Sequence, residues 1–167
     1  MQAEIPLNKT GGENKMFEFE TLEGAMACFS QVGYVGQNNC IFYATTFLTG
    51  GGFVGGMEQA QNGRAWAGYL VNVNENGFGI LPLDRTQHKL RVLIEDLTPR
   101  YDEFTYIPYQ QLVEVKIKRA GLNSAIKHVI IKLANAPQYD LQVLTREKKL
   151  AYQEPNFASF CNFYGKK

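Results

Sequence analysis

The stretch Leu112–Thr145 constrains the chain most, because its residues change character every second position. In Leu112–Arg119 (LVEVKIKR), Val113, Val115 and Ile117 alternate with Glu114, Lys116 and Lys118. A period of two puts one row of side chains on a core and the other in water, which is a half-buried antiparallel strand and not a helix. The three valine and isoleucine positions are expected inward and the charged ones outward. Gly121–Ser124 turns the chain, Ile126–Leu133 (IKHVIIKL) returns it, and Asn135-Ala136-Pro137 turns it again into Tyr139–Thr145 (YDLQVLT).

The same reasoning extends toward both ends. Cys40–Leu48 is rich in aromatic and β-branched residues and reads as a strand, broken by the glycines of Gly50–Gly56. Ala67–Val73 and Phe78–Leu83 form a hairpin around Asn74–Gly77 (NENG), where Asn-Gly is expected to supply positive φ angles. Pro82 argues that the second strand of this hairpin ends there or lies at an edge. Asp84–Tyr101 fits both a helix (Leu90, Leu93, Ile94, Leu97) and a strand (Arg91–Ile94). Phe104–Ile107 is a short strand stopped by Pro108.

Two segments have helical spacing. From about Phe17 to Gly33, Phe19, Leu22, Ala25, Met26 and Phe29 recur at three- and four-residue steps, with Thr21 or a neighbour near the start and Gly33 as the stop. At the other end Glu154-Pro155 opens a helix that carries Phe157, Phe160, Cys161 and Tyr164 near one stripe and stops at Gly165. Residues 1–15 are polar and read as a loose arm, which leaves 16–167 as a single domain. The fold class is therefore α+β and mainly β: an antiparallel barrel or sandwich of about seven strands, with an N-terminal helix and a capping C-terminal one.

Composition limits the function classes. A net charge of +1 gives no global field for nucleic acid, and no nucleic-acid motif accompanies the cations. Up to Leu83 three Lys/Arg stand against seven Asp/Glu, a net of −4, while from Asp84 fourteen stand against nine, a net of +5. An anionic partner would meet the second half. The three cysteines Cys28, Cys40 and Cys161 show no CxxC or Cys/His spacing, so zinc is not expected, and an odd count suits a reducing compartment. The first fifteen residues have no apolar run of the secretory kind, so the expected location is cytoplasmic. Cys40–Met57 is 18 residues without a charge, but five glycines and three threonines favour a buried strand and a tight connection over a spanning helix.

The candidate sites are few. Gly50-Gly51-Gly52-Phe53-Val54-Gly55 matches the letters of a dinucleotide fingerprint, but its flanks are antiparallel, and Met57-Glu58 stands where a phosphate-binding loop needs Lys and Ser/Thr. A flexible or tightly packed connection is the better reading. Lys116, Lys118, Arg119 and Lys127 flank one hairpin turn and are the candidate ligand-binding residues. They would hold an anionic headgroup by charge-assisted hydrogen bonds, although outward lysines also serve simply to block edge pairing. Arg146, Lys148 and Lys149 form a second small cluster. His88 and His128 are 40 residues apart, His128 as a half-exposed strand residue, and Cys40 and Cys161 lie in apolar surroundings where thiols are inert. Glu95, Asp96, Asp102 and Glu103 read as solvated acids, and Trp66 as a packing residue. Neither a catalytic set nor a cofactor or metal is expected.

A glycine-rich stretch (TGGGFVGG) running into a hairpin that ends in ILPL, then YIPYQQLVEVKIK, two further strands and a last helix, resembles the bacterial pleckstrin-homology-like (PH-like, GRAM-like) domain proteins over Gly36 to Tyr164. The resemblance implies a non-catalytic binding or assembly module, acting on a partner protein or on a second copy. The alternative it carries is peripheral binding to an anionic membrane surface through the basic turn.

Overall fold

The structure is a computed structural model that describes residues 16–47, 67–85 and 93–165. The expectations for Gly50–Gly56, Trp66, His88 and the Leu90–Val92 part of the open segment fall outside these residues, as does the 1–15 arm. Among the described residues eight strands and two α-helices follow in the order α1 (Leu22–Gln31), β1 (Cys40–Thr46), β2 (Tyr69–Asn74), β3 (Gly77–Arg85), β4 (Leu97–Pro99), β5 (Thr105–Pro108), β6 (Leu112–Ala120), β7 (Asn123–Leu133), β8 (Tyr139–Leu144) and α2 (Gln153–Tyr164). The sheet is antiparallel with the order β4-β3-β2-β1-β8-β7-β6, and β5 lies alongside β4 on the free side of β3. No described helix is long and apolar enough to cross a membrane.

The eighth strand is β4, in the segment that sequence left open between helix and strand. Here β3 outruns its expected end and runs past Pro82 to Arg85. The first half of β3 pairs with β5 up to Ile80↔Thr105, and the second half pairs with β4 from Leu83↔Pro99. Pro82 sits where the partner changes. Leu83 donates its N–H to Gly68 on the β2 side, so the missing N–H of Pro82 faces the other way, where its carbonyl accepts from Arg100. The proline thus falls in the gap between two short ladders and removes no strand hydrogen bond.

Two cores lie on opposite faces of β1–β3. One gathers Phe17, Phe19, Phe29, Ile41, Leu70, Leu81 and Tyr152 under α1; the other gathers Phe42, Val71, Phe78, Val129, Leu141, Phe157 and Phe160 from β1–β3, β7, β8 and α2. Covered on both sides, β2 and β3 are buried almost throughout, whereas β6–β8 keep one wet face and hence the alternating pattern. Helix α1 is capped by Thr21, whose Oγ1 accepts from the Gly24 N–H at 3.0 Å, and it stops at Gly33 with φ of +70°. It is shorter than the spacing suggested: Phe17 and Phe19 precede it and pack edge-on at 4.9 Å.

Two local expectations are corrected. In the NENG turn no residue other than glycine has positive φ; Asn74 Oδ1 instead accepts from the Asn76 N–H at 2.9 Å, and the positive φ belongs to Gly77, at +140°. In β6, Val113 does not point inward. The pairing steps from Leu112↔Leu133 to Glu114↔Lys132, so Val113 is the extra residue of a β-bulge and is 63% exposed. Leu112 takes its place in the core, and Val115 and Ile117 pack inward as expected.

Candidate functional site

Helix α2 begins at Gln153, two residues before Pro155, and does more than cover the core. β1 pairs with β8 only at Thr45↔Gln142 and Thr46↔Leu141, so its earlier residues have no strand on that side. Two amides of α2 substitute for one. Gln153, fully buried, accepts from the Tyr43 N–H at 2.8 Å through Oε1 and donates through Nε2 to the carbonyls of Tyr43 and Leu144, both at 2.9 Å. Asn156 Nδ2 donates to Ile41 O at 3.0 Å. The rings of Phe157 and Phe160 then reach Phe42 at 5.2 and 4.9 Å, as the aromatic stripe implied.

Beyond these contacts α2 runs out over a groove of about 330 Å³ between Cys40, Val73, Tyr109, Phe160, Phe163 and Tyr164. Phe163 is 76% exposed. The groove's far rim is polar and hydrogen-bonded. Glu75 accepts the backbone N–H groups of Gln37 and Asn38, which hold its carboxyl below the usual range. Behind it, Asn39 Oδ1 accepts from Asn72 and Asn74 at 3.0 and 3.1 Å, and Tyr34 donates to Asn74 Oδ1 at 3.1 Å. This asparagine network escaped sequence reading. The Val-Asn alternation in β2 was its only trace.

The opposite ends of β1 and β2 border a second concavity of about 530 Å³, lined by Thr46, Phe47, Tyr69, Thr105–Ile107, Gln111, Leu133 and 136–141. At its rim Asp140 lies 2.9 Å from His128 Nε2 and accepts from Gln138 Nε2 at 2.9 Å. Phe47 stacks on the His128 ring at 3.8 Å, with the planes 6° apart. His128 is therefore a packed, partnered side chain and less open than sequence suggested.

The four basic residues do not converge. Directly paired residues share a face of the sheet, and the ladder pairs Lys116 with Ile130 and Lys118 with His128, but Ile117 with Val129 and Arg119 with Lys127. Lys116 and Lys118 therefore lie on the outer face, and Arg119 and Lys127 on the face that continues the core row. Lys116 and Lys132 both pair with Glu114, at 3.5 and 3.2 Å, which lowers the pKa of that carboxyl, Lys132 having the larger effect. The acids of the 84–104 segment are likewise engaged. Arg100 pairs with Asp84 at 2.6 Å, Asp102 at 3.2 Å and Glu103 at 3.7 Å, and Lys149 pairs with Glu95.

Comparison with protein-family models, with characterised proteins and with solved structures gives no match. The chemistry must be judged from the side chains. Burial raises all three thiols, Cys40 to about 11, so each holds its proton at neutral pH and is a poor nucleophile. Among the described residues no group of three or more His, Cys, Asp and Glu could hold a metal ion.

Proposed function

We propose that this chain is a PH-like module without catalytic chemistry that assembles with a second copy of itself through the end of α2. The PH-like reading is supported by the strand path. The meander β1-β2-β3-β5 is followed by the meander β6-β7-β8, the last strand returns to β1, and a helix closes the chain.

The observation that carries the assembly reading is the protruding Phe163 beside the apolar groove of Phe160, Tyr164, Tyr109 and Val73. A knob and a recess in one patch suit a two-fold contact, because each copy's knob can enter the other copy's recess. Exposed aromatic surface next to a groove is otherwise a liability in water. The competing route, edge-to-edge pairing through β6, is poorly suited: the Val113 bulge interrupts the edge, and Lys116 and Lys118 follow it.

Sedimentation velocity over a wide concentration range tests this. The full chain should show a concentration-dependent dimer, and Phe163→Asp should remain a monomer whose unfolding midpoint equals that of the wild type at concentrations low enough for both to be monomeric. A chain that stays monomeric throughout, or a variant that dimerises as well as the wild type, refutes the reading. Retention on anionic vesicles that disappears in Lys116→Glu/Lys118→Glu would instead favour the lipid alternative.

A further inference from the structure

The tip of the β6–β7 hairpin carries an inference that does not rest on the assembly reading. Ala120 pairs with Asn123, so Gly121 and Leu122 form the apex, with Gly121 at a φ of +66°. The β7–β8 ladder ends at Ile126↔Leu144, and residues 120–124 therefore stand beyond its last rung. Leu122 is 101% exposed. A single exposed leucine is ordinary on a protein surface, but this one crowns a hairpin of unusual charge. From Val115 to Tyr139 the sequence has five Lys/Arg and no Asp or Glu in 25 residues. Lys116 and Lys132 pair with Glu114 toward the far end of the ladder, while Lys118, Arg119 and Lys127 stand at the base of the apex.

The strand parity that keeps these cations from converging on one small ligand suits a different partner. Lys118 lies on one face of the hairpin, and Arg119 and Lys127 lie on the other. A folded acidic protein or a single soluble anion would meet one face only. An anionic bilayer is fluid and closes around an inserted tip, so cations on both faces meet its phosphates at once. The depths also agree. The headgroup layer on each side of the hydrocarbon is about 5–8 Å thick. Leu122 is three residues past Arg119 and reaches up to about 10 Å beyond it along an extended chain. A leucine at the edge of the hydrocarbon thus leaves the three cations at the level of the headgroups, where their long stems can adjust. We propose that this hairpin is a wedge for anionic lipid bilayers, in which Leu122 enters the apolar edge and Lys118, Arg119 and Lys127 lie among the headgroups on either side.

The test is flotation of the full chain with vesicles at low ionic strength. One set is phosphatidylcholine alone, and the other is one part phosphatidylglycerol to two parts phosphatidylcholine. The chain should float with the mixed vesicles and not with the neutral ones, and added salt should release it. Leu122→Ser should weaken partitioning about tenfold, because the inserted apolar side chain is lost. Leu122→Trp should bind at least as well as the wild type, since tryptophan favours the membrane interface. Lys118→Ala and Arg119→Ala, one on each face, should each cost about fivefold. All four substitutions fall on exposed positions, so the fold should survive them. Phe163→Asp should float as the wild type does at concentrations where both are monomeric, which separates this contact from the α2 one. No flotation with the mixed vesicles, equal flotation with the neutral ones, an undiminished Leu122→Ser variant, or a loss confined to one of the two cation variants would each overturn the proposal.

Discussion

Replacing Gln153 by leucine isolates the seam between β1 and α2. The substitution keeps the side chain's bulk and apolar stem but removes hydrogen bonds to the Tyr43 N–H, the Tyr43 carbonyl and the Leu144 carbonyl. Each bond is worth about 1 kcal/mol net, and a buried backbone group left unpaired costs about 1–3 kcal/mol. Gln153 is fully buried, so water does not readily replace it. Part of the loss is offset by burying a more apolar side chain, and the sum is about 3–4 kcal/mol, a large share of a typical domain's 5–15 kcal/mol. With a urea slope of about 2 kcal/mol per molar, the midpoint should fall by roughly 1.5–2 M. Amide exchange adds a local readout: the Tyr43 N–H should lose more protection than the amides of β2 and β3. Gln153→Glu sharpens the argument. Its second oxygen would face two carbonyls, so the folded state favours the protonated acid and raises its pKa. That variant should be more stable at low pH and lose stability as pH rises through the raised value. A leucine variant whose midpoint moves by less than about 0.3 M, with Tyr43 still protected, would refute the view that these bonds complete the edge of β1.

Other consequences are as specific. Val113→Lys should change stability by no more than about 0.5 kcal/mol because the bulge exposes it, whereas Val115→Lys, two residues on, should cost about 2–4 kcal/mol by placing a charge in the core; equal effects in chemical denaturation would show that the bulge is misplaced. Gly79→Ala would put a Cβ 2.5 Å from Tyr34 Cδ1 and 3.1 Å from Phe104 Cε2. Tyr34 is tethered to Asn74 and packed on Phe104 at 5.5 Å, so the ring has little room to yield and the cost should be about 1–3 kcal/mol, read as a lowered melting temperature and relieved in part by Tyr34→Ser. The Cys40 thiol, raised by burial from 9.0 to about 11, should resist alkylation up to about pH 9 and react faster only above it. Because the folded state holds that proton more tightly, its contribution to stability is complete below pH 9.0 and is lost as pH rises through about 11. Rapid modification at pH 8 without unfolding would contradict this.

The basic hairpin shows where pattern reading stopped. The Leu112–Arg119 alternation correctly indicated a half-buried strand, and it already implied that neighbouring residues face opposite ways, so Lys118 and Arg119 lie on different faces. A count of nearby cations ignores that parity. The Val113 bulge then shifted the phase at the strand's start, and a bulge is visible only against its partner strand.

The amino-acid order alone determined the local elements: the alternating strands, the hairpin around NENG, the cap at Thr21 and the aromatic stripe on the last helix. These depend on side-chain period and turn chemistry within a few neighbouring residues. Tertiary structure decided the rest. It made β4 a strand, seated Pro82 between two ladders, brought Gln153 to Tyr43 across 110 residues and stacked Phe47 on His128. Such contacts leave no periodic trace, because the partner that gives each residue its role is supplied by the path of the chain and not by its neighbours.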